Sequence, residues 1–268
     1  MIRGLWTALP PLYGSTDSVL GHALEYLLHN GVDGFFVMGT TGQGADRSLG
    51  ERQQFLERLV GLTGVPKQMV VAISANPARD VRDLMAHAFS LGVQGVAMTP
   101  PFYGAWSQAE LAEWLHGVFD GMHKEGGVYL YNMPAIGHTV WSTDNLSLVD
   151  EIVGGIDGIK DSSGDVNQLL QYVAWAKGHG ASVMVGNEGL TTFHYLSGGH
   201  GVVSGLSAVY PRVMADLIQY CFYRQWDQAV ILQRDVNRLL QGLTRNSLRA
   251  GSRALVDAMQ AEGILGSW

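Results

Sequence analysis

Short apolar runs alternate with longer amphipathic stretches along the whole chain, and this alternation constrains the fold more than any other feature. In the amphipathic stretches, for example residues 18–29, 49–62 and 108–122, apolar residues recur every three or four positions, which predicts helices. Uniformly apolar strands are typical of a parallel sheet that helices cover on both faces. The runs that predict strands are residues 5–10, 34–39, 69–74, 95–99, 128–132, 155–160, 182–185 and 202–205.

Eight such units predict an α/β fold, a closed (β/α)8 or TIM barrel in a single domain. The chain has 268 residues, and a barrel of this kind needs roughly 250. Length alone would also allow two small domains, and an open doubly wound sheet is the alternative fold, but its G-x-G-x-x-G fingerprint is missing after the first run. We assign residues 1–211 to the barrel core. Residues 212–268 hold the last barrel helix and a C-terminal helical appendage, with helices predicted over 212–223, 226–242 and 247–261.

Charge and cysteine content exclude several classes of partner. The 17 basic and 24 acidic residues give a net charge of −7, and no basic run stands out, so we expect neither nucleic acid nor an anionic membrane surface as a partner. The single cysteine, Cys221, cannot form an intramolecular disulfide, and its apolar surroundings predict a packing role. The sequence has no signal-peptide pattern and no apolar run of the roughly 20 residues that span a bilayer, so we expect a cytoplasmic protein.

One lysine of the four in the chain closes a run that predicts a strand. Lys160 ends the run Gly155-Ile156-Asp157-Gly158-Ile159-Lys160, and active sites of such barrels lie at the carboxyl ends of the strands. Burial lowers the pKa of an ammonium group, and the neutral amine can attack a ketone to form an imine. An ion pair with Asp157 or Asp161 is the alternative, and position alone leaves both interpretations open.

Two further segments place reactive groups at the same predicted rim. Tyr131 ends the run before Lys160, and a phenol beside an imine can shuttle protons to the carbinolamine and the departing hydroxyl. By itself such a tyrosine is more often a core residue with a satisfied hydroxyl. The loop Gly39-Thr40-Thr41-Gly42-Gln43-Gly44 follows the second run, and its N–H groups and hydroxyls suit a small anion such as a carboxylate. An ordinary glycine-rich turn is the alternative for this loop.

Together these segments resemble the dihydrodipicolinate synthase/N-acetylneuraminate lyase superfamily, which consists of class I, pyruvate-type aldolases. The likeness runs through most of the barrel, from Thr7 to Ser204. Each motif is weak alone, but all three at family-like spacing make a strong signal. The motifs that carry it are Gly39-Thr40-Thr41-Gly42, Tyr131-Asn132-Met133-Pro134 and Gly158-Ile159-Lys160-Asp161.

The resemblance implies a Schiff base on Lys160, a proton shuttle through Tyr131 and a hydroxyl relay through Thr40. Tyr103 matches a tyrosine that family members donate across a dimer interface into the neighbouring site. The resemblance also implies a homodimer or homotetramer. It implies neither a cofactor nor a metal, because the reaction proceeds through the covalent imine on Lys160. The positions that it assigns to substrate binding are Thr41, which would hold the substrate carboxylate, and Gly42, Gly186 and Val203.

Departures from the family pattern bear on the substrate. Dihydrodipicolinate synthases carry an arginine for the second substrate's carboxylate where this chain has the apolar Ile136. Sialic acid lyases carry an acidic pair soon after the glycine that matches Gly186, whereas Asn187-Glu188-Gly189 keeps one carboxylate. They also usually have glutamate at the position of Gln43. Thr-Thr-Gly-x-Gly combined with Tyr-Asn-x-Pro-Ala is most similar to 2-keto-3-deoxy-sugar-acid aldolases.

We therefore expect reversible cleavage of a 2-keto-3-deoxy sugar acid, such as 2-keto-3-deoxygluconate, into pyruvate and an aldehyde such as glyceraldehyde. Its partners are then a small keto acid and an aldehyde. A sugar-acid dehydratase, an N-acetylneuraminate lyase and a dihydrodipicolinate synthase-like enzyme remain alternatives, because all use the same imine. A metal-dependent aldolase is disfavoured because the nine histidines show no compact spacing such as H-E-x-x-H. A barrel that binds a keto acid without catalysis is the remaining alternative.

Overall fold

In a computed structural model that describes residues 1–243 and 247–266, eight parallel strands close into a barrel. Each strand pairs with the next along the chain, and β8 closes onto β1 with Val203 opposite Trp6. The predicted (β/α)8 fold is confirmed. The strands are β1 (Gly4–Ala8), β2 (Gly34–Val37), β3 (Met69–Ala72), β4 (Gly95–Met98), β5 (Gly127–Asn132), β6 (Gly158–Asp161), β7 (Ser182–Val185) and β8 (Gly201–Ser204).

The helices surround the barrel and continue beyond it. Eight follow the strands in turn, and two more form the C-terminal helical extension that the sequence predicts; residues 244–246 and 267–268 of the predicted appendage lie outside the described residues. Capping boxes begin α2, where Ser48 pairs with Glu51, and α4, where Ser107 pairs with Glu110. The helices are α1 (Asp17–His29), α2 (Leu49–Thr63), α3 (Ala78–Ser90), α4 (Gln108–Phe119), α5 (Thr143–Val153), α6 (Val166–His179), α7 (Thr191–Leu196), α8 (Pro211–Phe222), α9 (Trp226–Leu243) and α10 (Leu248–Ala261).

The strands are apolar throughout because both of their faces are buried. In β5, Tyr129 and Tyr131 belong to the cluster that fills the barrel interior. The alternate residues Val128 and Leu130 belong to the larger cluster between strands and helices. This alternation follows from the two-residue period of a strand. It also leaves the inward positions at the carboxyl end of each strand free to carry functional groups.

Strand β6, which carries Lys160, begins later than predicted. Residues 155–157 form an irregular connection before the strand, because Gly155 has φ +105° and the Ile156 amide donates to Asp150 Oδ1 at 2.6 Å. The predicted helix 108–122 likewise ends early, at Phe119. Neither shift moves Lys160 from the carboxyl end of its strand.

The structure bears on the environment of the single cysteine and on the search for membrane-spanning helices. Cys221 is buried, and burial raises the pKa of its thiol to about 11, which confirms a packing role. Among the described residues, no helix has both the length and the apolar character needed to cross a membrane.

Candidate active site

Strands β5 and β6 place the predicted nucleophile and the predicted proton shuttle side by side. Tyr131 lies opposite Lys160 in the strand register. The Lys160 Nζ atom is 4.0 Å from the centroid of the Tyr131 ring and 3.9 Å from that of Phe36. The two rings themselves meet edge to face at 5.5 Å. The amine is therefore held between two aromatic faces, which attract its charged form and fix its position.

Burial changes the chemistry of Lys160. Its side chain is 6% exposed, and desolvation lowers the pKa of the ammonium group, opposed in part by Tyr131 and Glu188. The carboxylates of the ion-pair alternative are engaged elsewhere. Asp157 Oδ2 lies 2.6 Å from Lys124 Nζ, and Asp161 Oδ1 accepts from Asn132 Nδ2 at 2.8 Å. Burial therefore shifts the amine towards its neutral, nucleophilic form.

The loop after β2 reaches Tyr131 through a hydrogen bond. Thr40 Oγ1 and the Tyr131 hydroxyl are partners, which joins the loop to β5. Two non-glycine residues of this loop have a positive φ, Met38 at 59° and Gln43 at 52°. Gly42 allows a close backbone approach, since a Cβ there would lie 2.9 Å from the Leu9 carbonyl oxygen. Strained backbone of this kind is concentrated at functional sites.

A cavity of about 600 Å³ opens beside Lys160 at the carboxyl end of the barrel. Gly42 supports the loop without lining the cavity, and Tyr103 lies away from it. Helices α9 and α10 cover the cavity on the side opposite the barrel. The predicted site residues that line it are Lys160, Tyr131, Thr40, Thr41, Gly186 and Val203.

Gly186 is required by its contact with the lysine. A Cβ at this position would lie 2.0 Å from Ser162 Oγ and 3.1 Å from Lys160 Cε. Any side chain would therefore displace the lysine or the serine. The sequence assigned Gly186 to the pocket by resemblance, and its position supplies a steric reason for glycine there.

Glu188 is a cavity residue that the predicted site omitted. It is buried, and its Oε1 accepts hydrogen bonds from Gly205 N at 2.7 Å, Leu206 N at 3.0 Å and Ser204 Oγ at 3.1 Å. Its negative charge raises the pKa of Lys160 and so partly offsets the effect of burial. The signal in the sequence was Asn187-Glu188-Gly189 directly after Gly186, which by itself could not show where the carboxylate points.

Tyr103 is on the surface of the single chain. Its side chain is 84% exposed, and its amide donates to Asn76 Oδ1 at 3.2 Å. A second chamber of about 360 Å³ lies against Thr40 and Tyr131, and its walls include Phe102 and Ile136. The structure therefore does not bring Tyr103 to Lys160 within one chain.

The opposite end of the barrel has a larger groove of about 900 Å³. Its lining includes Arg3, Asp33, Tyr195 and His200. Across residues 1–243 and 247–266, no three His, Cys, Asp or Glu side chains are grouped so that they could hold a metal ion. Because the predicted nucleophile lies at the other end, we assign the candidate active site to the smaller cavity.

Comparison with known proteins bears on this site. The sequence model of the dihydrodipicolinate synthetase family matches residues 15–264. The chain belongs to this family. Family members are aldolase-type lyases, and the chain is therefore an enzyme of this type.

Among its relatives are proteins named 4-hydroxy-tetrahydrodipicolinate synthase. The one from Thermotoga maritima is 26% identical over 248 residues, which cover 91% of this chain and 84% of the relative. The one from Methanocaldococcus jannaschii is 23% identical over 85% of this chain and 78% of the relative.

Solved structures share the fold at low sequence identity. Dihydrodipicolinate synthase from Bacteroides thetaiotaomicron has a TM-score of 0.87 at 24% identity, covering 98% of this chain and 89% of that one. The 2-keto 3-deoxygluconate aldolase from Picrophilus torridus has a TM-score of 0.86 at 18% identity, covering 98% and 94%. A prophage protein from E. coli K12, solved in complex with pyruvate, has a TM-score of 0.84 at 21% identity, covering 96% and 88%.

Proposed function

We propose that this family member is a Schiff-base aldolase that reversibly cleaves a 2-keto-3-deoxy sugar acid, such as 2-keto-3-deoxygluconate, into pyruvate and an aldehyde. The observation that carries the proposal is the buried amine of Lys160, held between Phe36 and Tyr131 at the floor of a cavity. A desolvated lysine beside a phenol is suited to imine formation. The reaction needs no metal and no cofactor besides the imine.

In the proposed mechanism, Lys160 Nζ attacks the C2 ketone to form a carbinolamine, which loses water to give a protonated imine. Tyr131 protonates the hydroxyl that departs from the carbinolamine and is left as a phenolate. The phenolate then takes the proton of the C4 hydroxyl as the C3–C4 bond breaks, and the bonding electrons pass into the imine to give an enamine. The aldehyde leaves, the enamine is protonated at C3, and water hydrolyses the new imine to release pyruvate. Thr40, the hydrogen-bond partner of Tyr131, relays the proton.

The substrate carboxylate is assigned to the loop that holds Thr41 and Gly42. Thr41 lines the cavity with Lys160, and Gly42 lets the loop lie against the backbone at Leu9. Val203 and Gly186 complete the wall around the keto acid. A carboxylate next to the reacting ketone is the feature that pyruvate and 2-keto-3-deoxy acids share.

Two features support a hydroxylated aldehyde. Ile136 presents no donor for a second carboxylate, which disfavours the synthase activity in the names of the relatives. Asn187, Glu188 and Ser252 line the cavity around Lys160 and suit hydroxyl groups.

We also propose that Tyr103 of a second copy of the chain completes the site in a homodimer or homotetramer. The exposed position of Tyr103 supports this assignment. So does the second chamber, whose apolar walls meet the hydroxyls of Thr40 and Tyr131 and thus complement a phenol.

Borohydride trapping tests the proposal. Incubation with pyruvate and borohydride should add a reduced pyruvate adduct to Lys160, found by peptide mapping, and the Lys160→Ala variant should remain unlabelled. Label on another lysine, or equal labelling of the variant, would overturn the nucleophile.

Product analysis then tests the reaction. With 2-keto-3-deoxygluconate, the wild type should release pyruvate and an aldehyde in equal amounts. A six-carbon product that has lost one water from this substrate indicates the dehydratase instead. Faster condensation of pyruvate with aspartate semialdehyde than with glyceraldehyde indicates the synthase.

A further inference from the structure

Helix α10 forms the roof of the cavity. Leu248, Gly251, Ser252 and Leu255 of this helix line it, opposite Lys160 on the barrel floor. The position that a Cβ on Gly205 would occupy lies 3.3 Å from Leu255 Cδ1, 3.8 Å from Glu188 Oε1 and 4.0 Å from Thr41 Cγ2. The roof therefore meets the rim of the barrel beside the residues assigned to the keto acid.

Contacts hold α10 in place near both of its ends. Near its start, Arg249 Nη2 lies 2.6 Å from Asp46 Oδ1, in the loop that also carries Thr40 and Thr41. Near its end, Met259 is fully buried, as is Leu265 just beyond the helix. The side chains of the first turns of α10 line the cavity and therefore limit the space that it offers beside Lys160.

Gly251 is the position of this roof where a side chain is missing. Glycine inside a helix costs roughly 0.5–1 kcal/mol relative to alanine. Neither a positive φ nor a close contact requires glycine here, because a Cβ at Gly251 would meet no heavy atom of the described residues within 4 Å. The effect of the glycine is to leave open the part of the cavity that it faces.

We propose that Gly251 is a specificity-determining position, and that the space beneath it receives the distal end of a hydroxylated aldehyde longer than three carbons. This inference rests on the proposed aldolase function and extends it to the substrate's length. The keto-acid half occupies the floor beside Lys160 and Thr41. Sites that bind drug-sized ligands have volumes of roughly 300–1,000 Å³. The cavity, at about 600 Å³, is therefore large enough for an aldehyde longer than three carbons. Glu188, beside the same space, is an acceptor for the distal hydroxyls.

A side chain introduced at Gly251 tests the inference without disturbing the protein around it. Gly251→Leu fills the space, and Gly61→Leu is the matched control, because Gly61 is an exposed position in helix α2 whose Cβ would also meet nothing within 4 Å. The measured quantity is the ratio of kcat/KM for erythrose to that for glycolaldehyde in condensation with pyruvate. The fraction of each sugar that is in the open-chain form is the same for every variant. It therefore cancels when the ratio is compared between variants.

We expect wild type and Gly61→Leu to give the same ratio, and Gly251→Leu to lower it roughly 10-fold or more, as pocket misfits of this size do. Pyruvate trapping by Gly251→Leu should equal that of the wild type. An unchanged ratio, an equal loss with both aldehydes, or no activity of the wild type on erythrose would overturn the inference. Failure of the wild type to be trapped by pyruvate would instead overturn the proposed function.

Discussion

One lysine lies near each end of the β5–β6 pair, and the two lysines are in opposite environments. Near the amino ends, Lys124 is 31% exposed in its side chain and lies 2.6 Å from Asp157 Oδ2. At the carboxyl end of β6, Lys160 is buried between aromatic rings, and burial lowers its pKa. A lysine thus forms a surface ion pair at one end of the strands, and a lysine is the candidate nucleophile at the other end. Lys160 is desolvated beside aromatic rings, whereas Lys124 forms an ion pair with a carboxylate, and this makes the difference.

The volumes of the cavities at the two ends do not show which end holds the active site. The groove at the amino end, about 900 Å³, is larger than the cavity of about 600 Å³ at the carboxyl end. The smaller cavity contains the buried amine, the phenol and the strained loop. Reactive groups in a perturbed environment therefore identify the site better than volume does.

The largest effect should come from removing the amine at the carboxyl end. We expect Lys160→Ala to lower kcat/KM roughly 10⁴-fold or more, since a covalent nucleophile cannot be replaced by the groups around it. Pyruvate release from 2-keto-3-deoxygluconate measures this loss. Lys124→Ala is the matched control at the amino end. It should keep kcat/KM within about twofold and lose about 0–1 kcal/mol of stability; a comparable loss of activity in both variants would contradict the comparison.

The next effect should come from the phenol beside the amine. Tyr131→Phe keeps the ring against Lys160 and Phe36 but removes the hydroxyl that bonds to Thr40. We expect kcat to fall roughly 10²–10⁴-fold, the range for loss of a general acid–base group. Tyr129→Phe is the matched control, on the same strand and face, and should keep kcat within about threefold. Equal losses in the two variants would show that the effect is structural.

The smallest effect should appear in stability and not in catalysis. His194 is buried, its Nε2 donates to the Val183 carbonyl, and burial lowers its pKa to about 4. An unfolded chain protonates this histidine near pH 6.5, whereas the folded chain resists protonation until about pH 4. Its contribution to stability is therefore complete above pH 6.5 and is lost as the pH falls to 4, by on the order of 3 kcal/mol at most.

Urea unfolding at pH 7, 5.5 and 4.5 measures this loss. His194→Gln, whose amide can donate to the same carbonyl, corrects for the pH dependence of other groups. These include His200, whose pKa is lowered by burial, and Asp161, whose pKa is raised by burial. The wild type should lose more stability between pH 7 and 4.5 than the variant does. Parallel curves would remove His194 from the explanation.

Much of the floor of the site could be predicted from the sequence because its residues follow strand ends. Lys160 and Tyr131 each lie at the carboxyl end of an apolar run, and consecutive runs pair in a barrel, so their proximity followed from strand order. The loop with Thr40 follows its own strand in the same way. The position of Lys160 in the sequence could not exclude an ion pair with Asp157 or Asp161, because both are close to it in the chain. In the structure, Asp157 pairs with Lys124 and Asp161 accepts from Asn132.

The roof of the site could not be predicted in this way. Helix α10 was expected as an appendage, but its periodicity does not reveal which surface it covers. One of its contacts joins Arg249 to Asp46, which are 203 residues apart in the chain. Glu188 presents the same difficulty, because its hydrogen bonds come from the next βα unit at Ser204, Gly205 and Leu206.

The sequence by itself determined the barrel, the order of its strands and the rim at which Lys160 and Tyr131 meet, because hydrophobic periodicity and strand order are local properties of the chain. Only the tertiary structure decided that the Lys160 amine lies between rings and that α10 closes the space above it with a gap at Gly251. Desolvation and steric fit depend on neighbours that folding brings from distant parts of the chain.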